Sequence, residues 1–380
     1  MRWRSVDVVA AGPPSADPYD PAAAAWALAG AFAARGTSVR VLHPGAASAA
    51  PAGIESVPLE LRGRHPGAAV EPAELAAAAG RRLKAGVELV VRDPSGLGRL
   101  GVSRKPSGPP TIVGLVRGVE LAAFDRERSS RAPVGFVDRL DTWRDRRSVR
   151  RLERLALEET DRLFYDSPEL PKALAQEYSI SERKLRPAPP AVPTAPTRPT
   201  REAARAQLRL PLDVPVVVAP AAVDRPEPAG VDRAREAFRR VRSLFAGARL
   251  VVVGAPAPVE PGVEAIAGRD LDTFAAAFAA SDVAVFAGRL PGFDPGVTLA
   301  QSIGCAAVVL PGMPFPIPPG NAVRVAPSDD PGDVASVLAE LLADPALRRE
   351  LAKAGTAYAG PFAPDRVADR IEAESSRVAG

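Results

Sequence analysis

The sequence has few of the residues from which several kinds of functional site are built. It contains one cysteine, Cys305, and two histidines, His43 and His65. A single cysteine cannot form a disulfide within the chain and favours a reducing compartment. Two histidines make a multi-histidine metal site or a histidine-based catalytic triad unexpected. We therefore expect no bound metal and no cofactor.

Charge and hydropathy exclude two further classes of partner. Only five of the 49 basic residues are lysines, as a GC-rich genome would give without selection for function, and the net charge is +4. This balance gives no reason to expect a nucleic-acid partner. The chain also has no apolar run near the roughly 18 residues of a membrane span, and no signal-peptide pattern precedes the first predicted strand. These features predict a cytoplasmic protein that at most contacts the inner face of the membrane.

What the sequence does contain is a repeated α/β pattern. Its 46% hydrophobic and 25% charged residues are typical of a globular protein, and 380 residues suffice for two cores. A strand at 5–10, a helix at 21–34 and a strand at 38–42 open the first half. The second half restarts in the same way, with a strand at 214–219 and a helix at 231–245. This alternation predicts two domains with parallel sheets.

A proline-rich segment separates the two series. Residues 185–200 have almost no hydrophobic periodicity and predict a semi-rigid linker. We therefore expect an N-terminal Rossmann-like domain at 1–190, a linker at 191–200 and a second Rossmann-like domain at 201–360. Residues 361–380 are expected to form a final helix that returns to the first domain.

The most specific motif lies in the second half. Residues 289–304 read Arg-Leu-Pro-Gly-Phe-Asp-Pro-Gly-Val-Thr-Leu-Ala-Gln-Ser-Ile-Gly and follow a predicted strand at 283–287. The segment resembles the signature of retaining family 4 glycosyltransferases, in which a Glu-Gly-Phe-Gly turn opens a helix and a second Glu follows eight residues after the first. Gly292 and Phe293 match the turn, and Ala300 and Gly304 fall in register with the helix.

The resemblance extends along most of the chain. Residues 29–41, 159–170 and 248–254 are similar, in order and spacing, to other segments of that family. It implies the GT-B architecture, which is two Rossmann-like domains facing each other across a cleft. It also implies a nucleotide-diphosphate sugar as the donor, bound in that cleft without a metal.

The acids of the signature are missing. Pro291 and Leu299 stand where the family has its two glutamates, which hold the donor sugar and the ribose. Asp294 replaces the second glycine, and the pair Asp294-Pro295 predicts an N-cap followed by the first helical residue. A carboxylate at that cap would satisfy the N–H groups that a diphosphate needs, and it would repel the phosphate.

The cations expected to face the diphosphate have changed as well. The resemblance implies an arginine and a lysine after the strand at 214–219, but Ala229 stands at the lysine position. Arg225 either contacts a phosphate or is a solvated loop residue. In the first domain, the loop after the first strand has one glycine, Gly12, and four prolines. Arg117, after the strand at 111–116, is either an anion contact or a surface residue.

Because ligands bind at the carboxyl ends of parallel strands, the donor-binding candidates are the residues that follow predicted strands. They are Gly12, Arg117, Arg225, Gly254, Gly292, Phe293, Asp294, Gly296, Val297 and Thr298. No catalytic residue can be assigned from the sequence.

A basic amphipathic stretch, Phe136–Leu155, mixes seven arginines with apolar residues. It is either a peripheral contact for anionic lipid or an ordinary solvated helix face.

Two functions stay open. The first is a glycosyltransferase whose donor contacts are rebuilt from other residues, such as Arg225 and Arg117. The second is a non-catalytic homologue that serves as a scaffold or as a subunit of an active glycosyltransferase.

Overall fold

The chain folds into two compact units. The computed structural model describes residues 3–20, 22–46, 49–61, 72–92, 100–101, 110–116, 136–167, 169–195, 198–221, 229–256, 260–288, 294–311 and 321–375. The first unit comprises Met1–Ser15, Pro21–Ala191 and Pro364–Gly380. The second comprises Ala16–Asp20 and Val192–Ala363, so a five-residue segment of the N-terminal region belongs to it.

The first unit is built on a parallel sheet of seven strands, in the order β3-β2-β1-β4-β5-β6-β7. Its elements up to residue 191 are β1 (Ser5–Val9), α1 (Ala23–Ala33), β2 (Ser38–Pro44), β3 (Ile54–Leu59), α2 (Pro72–Arg82), β4 (Leu89–Arg92), β5 (Thr111–Val116), α3 (Phe136–Glu159), β6 (Arg162–Tyr165), α4 (Leu170–Tyr178) and β7 (Leu185–Pro187).

The second unit repeats this plan with a sheet of six strands, in the order β10-β9-β8-β11-β12-β13. Its elements are α5 (Arg201–Gln207), β8 (Val216–Pro220), α6 (Ala229–Leu244), β9 (Arg249–Val253), β10 (Val263–Ile266), α7 (Leu271–Ala280), β11 (Val283–Phe286), α8 (Pro295–Ile303), β12 (Ala306–Val309), β13 (Arg324–Val325), α9 (Pro331–Ala343) and α10 (Pro345–Ala359).

The strands are apolar on both faces because helices cover both faces of each sheet. Val6 and Val8 of β1 pack into one core cluster, and Val9 packs into another on the opposite face. Such continuous apolar runs are typical of parallel sheets. In both sheets the order reverses beside the first strand, at β1/β4 and at β8/β11. This is the doubly wound arrangement of Rossmann-like domains.

The last helix, α11 (Pro364–Ser375), belongs to the first unit, as the sequence predicts. Val367, Ala368 and Ile371 are buried in the same cluster as α1. Arg35, after α1, forms ion pairs of 2.9 Å with Asp369 and 3.3 Å with Glu372. The predicted fold class, two Rossmann-like units with a returning C-terminal helix, is confirmed.

One part of the predicted linker is wrong. Residues 185–187 form β7, which pairs in parallel with β6. The sequence gives no sign of this strand because it has three residues and ends in Pro187. Proline is tolerated there because β7 is the edge strand of its sheet and needs no second row of hydrogen bonds. The basic amphipathic stretch Phe136–Leu155 lies within one helix, α3, which begins at Phe136.

A buried ion pair lies at the start of β8 and β11 in the second unit. Arg205 of α5 is fully buried, and its Nη2 lies 3.1 Å from Oδ2 of Asp282. The remaining hydrogen bonds of Arg205 go to the backbone carbonyls of Ala280, Pro211, Leu212 and Val214. Asp282 also accepts the N–H of Val216 at 2.9 Å. The pair therefore links α5 to the end of α7 and the start of β8.

Among the helices described, none combines the length and the apolar composition that crossing a bilayer requires.

Candidate functional site

The carboxyl ends of three strands of the second sheet come together at one edge. The chain leaves β8 at Ala221, whose N–H donates to the carbonyl of Val253 at 2.8 Å. It leaves β9 at Gly254, whose N–H donates to the carbonyl of Ile266 at the end of β10, also at 2.8 Å. Ligands of doubly wound sheets bind at this edge, next to the point where the strand order reverses.

A cation that the sequence analysis did not identify lies at this edge. Arg269 follows β10, and its Nη1 donates to the carbonyl of Gly254 at 2.9 Å and to that of Ala221 at 3.3 Å. Its Nε and Nη2 lie 2.7 and 2.6 Å from Oδ2 of Asp17. Backbone carbonyls on one side and a carboxylate on the other therefore fix the plane of the guanidinium.

Asp17 belongs to Ala16–Asp20, the segment that the second unit takes from the N-terminal region. Its Oδ1 accepts the N–H of Tyr19 at 2.9 Å, which closes a short turn. The side chains of Asp17 and Arg269 are 19% and 24% exposed, so the pair is largely shielded from water.

Tyr19 places an aromatic ring on the same edge. The ring packs against Phe274 of α7, with centroids 5.4 Å apart. The hydroxyl lies over Gly296, in the first turn of α8, so closely that a methyl group on Gly296 would overlap it. Burial raises the pKa of Tyr19 well above its usual value, and the carboxylates of Asp294 and Asp17 raise it further, whereas Arg269 opposes them. The hydroxyl is therefore protonated and neutral.

The start of α8 has the predicted cap. Asp294 is 3% exposed, and its Oδ1 accepts the N–H of Gly296 at 2.8 Å, with Pro295 as the first helical residue. The helix ends at Gly304, whose φ of 83° is left-handed. The carboxylate of Asp294 thus satisfies one N–H of the terminus that would otherwise face an anion.

The three residues after Gly296 are buried. That Val297 and Thr298 contribute to donor binding stays a prediction. Val297 and Leu299 are fully buried in the core of the second unit. Thr298 is 1% exposed, and its hydroxyl has no hydrogen-bond partner. Leu299, where the resemblance would place a second glutamate, is therefore a core residue.

A second cation lies near the end of β11. Arg233, in the first turns of α6, donates from Nη1 to the carbonyl of Ala287. The helix begins at Ala229 and approaches so closely that a Cβ on Gly230 would stand 2.7 Å from the Cα of Gly288. Ala229, where the resemblance would place a lysine, is thus the first residue of a helix that contacts this edge.

The first unit has a buried cation at the corresponding edge of its own sheet. Arg92, the last residue of β4, is 4% exposed and lies 3.3 Å from Glu159. Burial lowers the pKa of Arg92 to about 10, and Glu159 opposes that shift. Gly12, in the loop after β1, accepts a hydrogen bond from the indole of Trp26 at 3.0 Å. That Gly12 contributes to donor binding stays a prediction.

The structure brings together part of the predicted set. Gly254, Asp294 and Gly296 lie around Arg269 and Tyr19. Four predicted residues, Arg117, Arg225, Gly292 and Phe293, lie outside the described residues, as does Pro291. In the ranges that are described, no three histidine, cysteine or acidic side chains are placed to hold a metal ion.

Sequence reasoning missed Arg269 because it missed β10. That strand has four residues, and its pattern of partly and fully exposed positions hides the alternation of a buried strand. Without a predicted strand before it, nothing in the sequence indicates that Gly268-Arg269-Asp270 lies at the carboxyl edge. Asp17 and Tyr19 were passed over because a loop with four prolines is a poor phosphate cradle.

Gly254 provides a test of how tightly this edge is packed. Its φ is 91°, and a Cβ would stand 3.0 Å from the carbonyl oxygen of Ala221 and 3.1 Å from the Phe274 ring. We expect Gly254→Ala to lower the free energy of unfolding by about 2–4 kcal/mol, since backbone strain and crowding add. Gly36→Ala is the matched control, because Gly36 has a φ of 82° but nothing within 4 Å. Gly36→Ala should lower the free energy of unfolding by about 1–2 kcal/mol. If urea unfolding gives the same loss for both variants, the edge around Gly254 is not crowded.

No protein-family model matches this chain. No curated protein matches it in sequence.

Solved structures of glycosyltransferases match the fold along the whole chain. A sucrose-phosphate synthase from Thermosynechococcus elongatus is 18% identical, with 98% of each chain covered and a TM-score of 0.71. WaaG, a glycosyltransferase involved in lipopolysaccharide biosynthesis, is 20% identical over 97% of this chain and 99% of its own, with a TM-score of 0.69. Anabaena HepE, solved in complex with UDP, is 13% identical over 98% and 100%, with a TM-score of 0.63. The chain is therefore similar in fold to GT-B glycosyltransferases.

Proposed function

We propose that this protein is a glycosyltransferase of the GT-B, family 4 type and binds a nucleotide-diphosphate sugar at the carboxyl edge of its second sheet. The observation that carries the proposal is the guanidinium of Arg269, which lies at the ends of β8 and β9 and already binds a carboxylate oxygen. HepE has the same fold and is solved with UDP and with UDP-glucose, which supports this class of ligand.

The chemistry needs a cation at this place. When the bond between the sugar and the diphosphate breaks, negative charge grows on the nucleoside diphosphate that leaves. An arginine held in position beforehand stabilises that charge without reorganising. In this chain Arg269 supplies the positive charge once Asp17 has left it. The acceptor oxygen bonds to the anomeric carbon as the bond to the diphosphate breaks, in the retaining sense that the signature implies, and the proton of the acceptor hydroxyl passes to the departing diphosphate.

Calorimetric titration with uridine, guanosine, adenosine and thymidine diphospho-sugars tests the proposal. We expect one donor to bind with a Kd of about 100 μM or tighter, which is roughly −5.5 kcal/mol. Arg269→Ala should weaken that binding by about 10–100-fold, the value of a charge-assisted hydrogen bond. Arg324→Ala, at an exposed arginine paired with Glu340, is the charge-matched control and should bind as wild type does. Absence of binding at millimolar donor, in wild type and in Asp17→Asn, would contradict the proposal.

The alternative is a non-catalytic homologue that acts as a scaffold or as a subunit of an active glycosyltransferase. Two observations favour it. Asp294 places a carboxylate on the helix terminus, and Leu299 replaces a glutamate with a core residue. A donor that binds without transfer or hydrolysis would support this alternative, and release of the nucleoside diphosphate on turnover would exclude it.

We also propose that α3 contacts anionic lipid. Its exposed side includes Trp143, at 56% exposure, with the Arg147 guanidinium 5.5 Å from the ring centroid. Three further arginines on this helix, Arg144, Arg150 and Arg151, are exposed. Arg154 is exposed too but is paired with Glu158, and Arg150 lies 3.7 Å from Glu177. Basic side chains around an exposed tryptophan are typical of helices that lie at a membrane surface.

Sedimentation with lipid vesicles tests this contact. We expect binding to vesicles of phosphatidylglycerol and phosphatidylcholine but not of phosphatidylcholine alone. Each arginine near an anionic surface contributes about 1 kcal/mol, so Arg147→Ala with Arg151→Ala should weaken binding roughly 30-fold. Arg324→Ala with Arg349→Ala removes the same charge from the second unit and should have no effect. If both double variants lose vesicle binding equally, net charge alone accounts for the binding and α3 is not the contact.

A further inference from the structure

Four of the five N–H groups of the Arg269 guanidinium are already engaged, and Asp17 takes the edge that a ligand would use. Nη1 is held by the carbonyls of Gly254 and Ala221. The edge formed by Nε and Nη2 is the one that binds carboxylates and phosphates, and both nitrogens lie on Oδ2 of Asp17. A phosphate oxygen and this carboxylate oxygen would therefore compete for the same two nitrogens.

Tyr19 covers the neighbouring surface. Its hydroxyl lies over Gly296 at the start of α8, and its ring lies against Phe274 of α7. The backbone N–H of Tyr19 donates to Oδ1 of Asp17 at 2.9 Å, so one short turn carries both side chains. Both residues lie in Ala16–Asp20, and the flanking residues Ser15 and Pro21 belong to the first unit.

We propose that Arg269 binds the diphosphate of the ligand and that Asp17 and Tyr19 occupy its place in the ligand-free protein. The ligand class rests on the proposed function, whereas the occupied site rests on the contacts of Ala16–Asp20. Binding of a diphosphate then requires this segment to leave the second unit. Only molecules in which the segment is displaced can bind diphosphate. The apparent affinity for diphosphate is therefore reduced in proportion to the fraction of such molecules.

Titration of the full chain with inorganic diphosphate tests the competition. Asp17→Asn keeps the shape of the side chain and removes the charge that holds Arg269. We expect it to bind diphosphate at least roughly 10-fold more tightly than wild type. Asp272→Asn is the matched control, because Asp272 is an exposed acid three residues after Arg269. It should stay within about twofold of wild type, since an exposed charge is screened. Adding Arg269→Ala to Asp17→Asn should remove the gain.

Equal diphosphate affinity in wild type and Asp17→Asn, or no binding in either, would overturn the proposal. So would an equal gain in Asp272→Asn, because that gain would report only the change in net charge.

A second measurement needs no ligand. Gly296→Ala should lower the Tm of the wild type, because the new methyl group overlaps Tyr19. In a Tyr19→Ala background the same change should lower the Tm much less, because only Oδ1 of Asp294, 3.0 Å from the new Cβ, still crowds it and alanine is favoured over glycine in a helix. If Gly296→Ala lowers the Tm equally in both backgrounds, Tyr19 does not occupy the start of α8 and the proposal is wrong.

The two proposals fail differently. A gain in diphosphate affinity without binding of any nucleotide sugar would contradict the donor function and leave the occupied site standing. Nucleotide-sugar binding that Asp17→Asn does not change would leave the donor function standing and overturn the occupied site.

Discussion

Asp282→Ala is expected to lower the free energy of unfolding by about 3–5 kcal/mol, because it leaves a buried guanidinium without its counter-ion. Arg205 is fully buried, and Asp282 is its only carboxylate partner among the contacts observed. The same carboxylate lies 2.8 Å from Arg201 and 3.6 Å from Arg348, so a single substitution removes the anion from three arginines. Urea unfolding followed by circular dichroism measures the loss.

Glu340→Ala is the control for this prediction. Glu340 pairs with Arg324 at 2.8 Å, but both side chains are almost half exposed. An exposed ion pair contributes at most about 1 kcal/mol, since water and salt screen it. If Asp282→Ala lowers the free energy of unfolding no more than Glu340→Ala does, the buried contacts of Arg205 do not stabilise the second unit.

Leu299→Glu is expected to lower the free energy of unfolding by about 3–5 kcal/mol at pH 7, although it introduces the residue that the resemblance would place there. Leu299 is fully buried in the main core cluster of the second unit, so the new carboxyl would lie among apolar side chains. For the same reason we expect no gain in donor affinity from this change. Asp294 and Ala229 would still differ from the family at the start of α8 and of α6.

The pH dependence separates charge from shape. Burial raises the folded-state pKa of the introduced carboxyl above its unfolded value, so the variant is most stable below the unfolded pKa. Its stability then falls, relative to wild type, as the pH rises through the folded pKa. Leu299→Met keeps the volume and should cost less than about 1.5 kcal/mol at every pH. A loss that does not depend on pH would show that the carboxyl escapes to water.

The helix starts in the second unit are encoded locally. Asp294-Pro295 predicts a cap followed by the first helical residue, and this is confirmed. The pair Asp344-Pro345 begins α10 in the same way. The hydrogen bonds of these caps join groups two or three residues apart, such as Asp344 with the N–H groups of Ala346 and Leu347. Apolar strands between helices are equally local signals, so the α/β class could be predicted from the sequence.

The candidate site was only partly predictable. The sequence placed Gly254, Asp294 and Gly296 after strands, and the structure brings them to one edge. It could not reveal that Asp17 and Tyr19 join them, because Asp17 and Arg269 are 252 positions apart. Local propensity says nothing about a contact between a proline-rich loop and a residue beyond a short, half-exposed strand.

The sequence by itself therefore determined the fold class and the cap at Asp294. Only the tertiary structure decided that Asp17 and Tyr19 lie at the carboxyl edge beside Arg269. That outcome depends on which side chains meet at the ends of β8, β9 and β10, and on Ala16–Asp20 belonging to the second unit. Backbone propensities and hydrophobic periodicity act over a few residues, whereas the pairing of Asp17 with Arg269 is selected by packing of the whole unit.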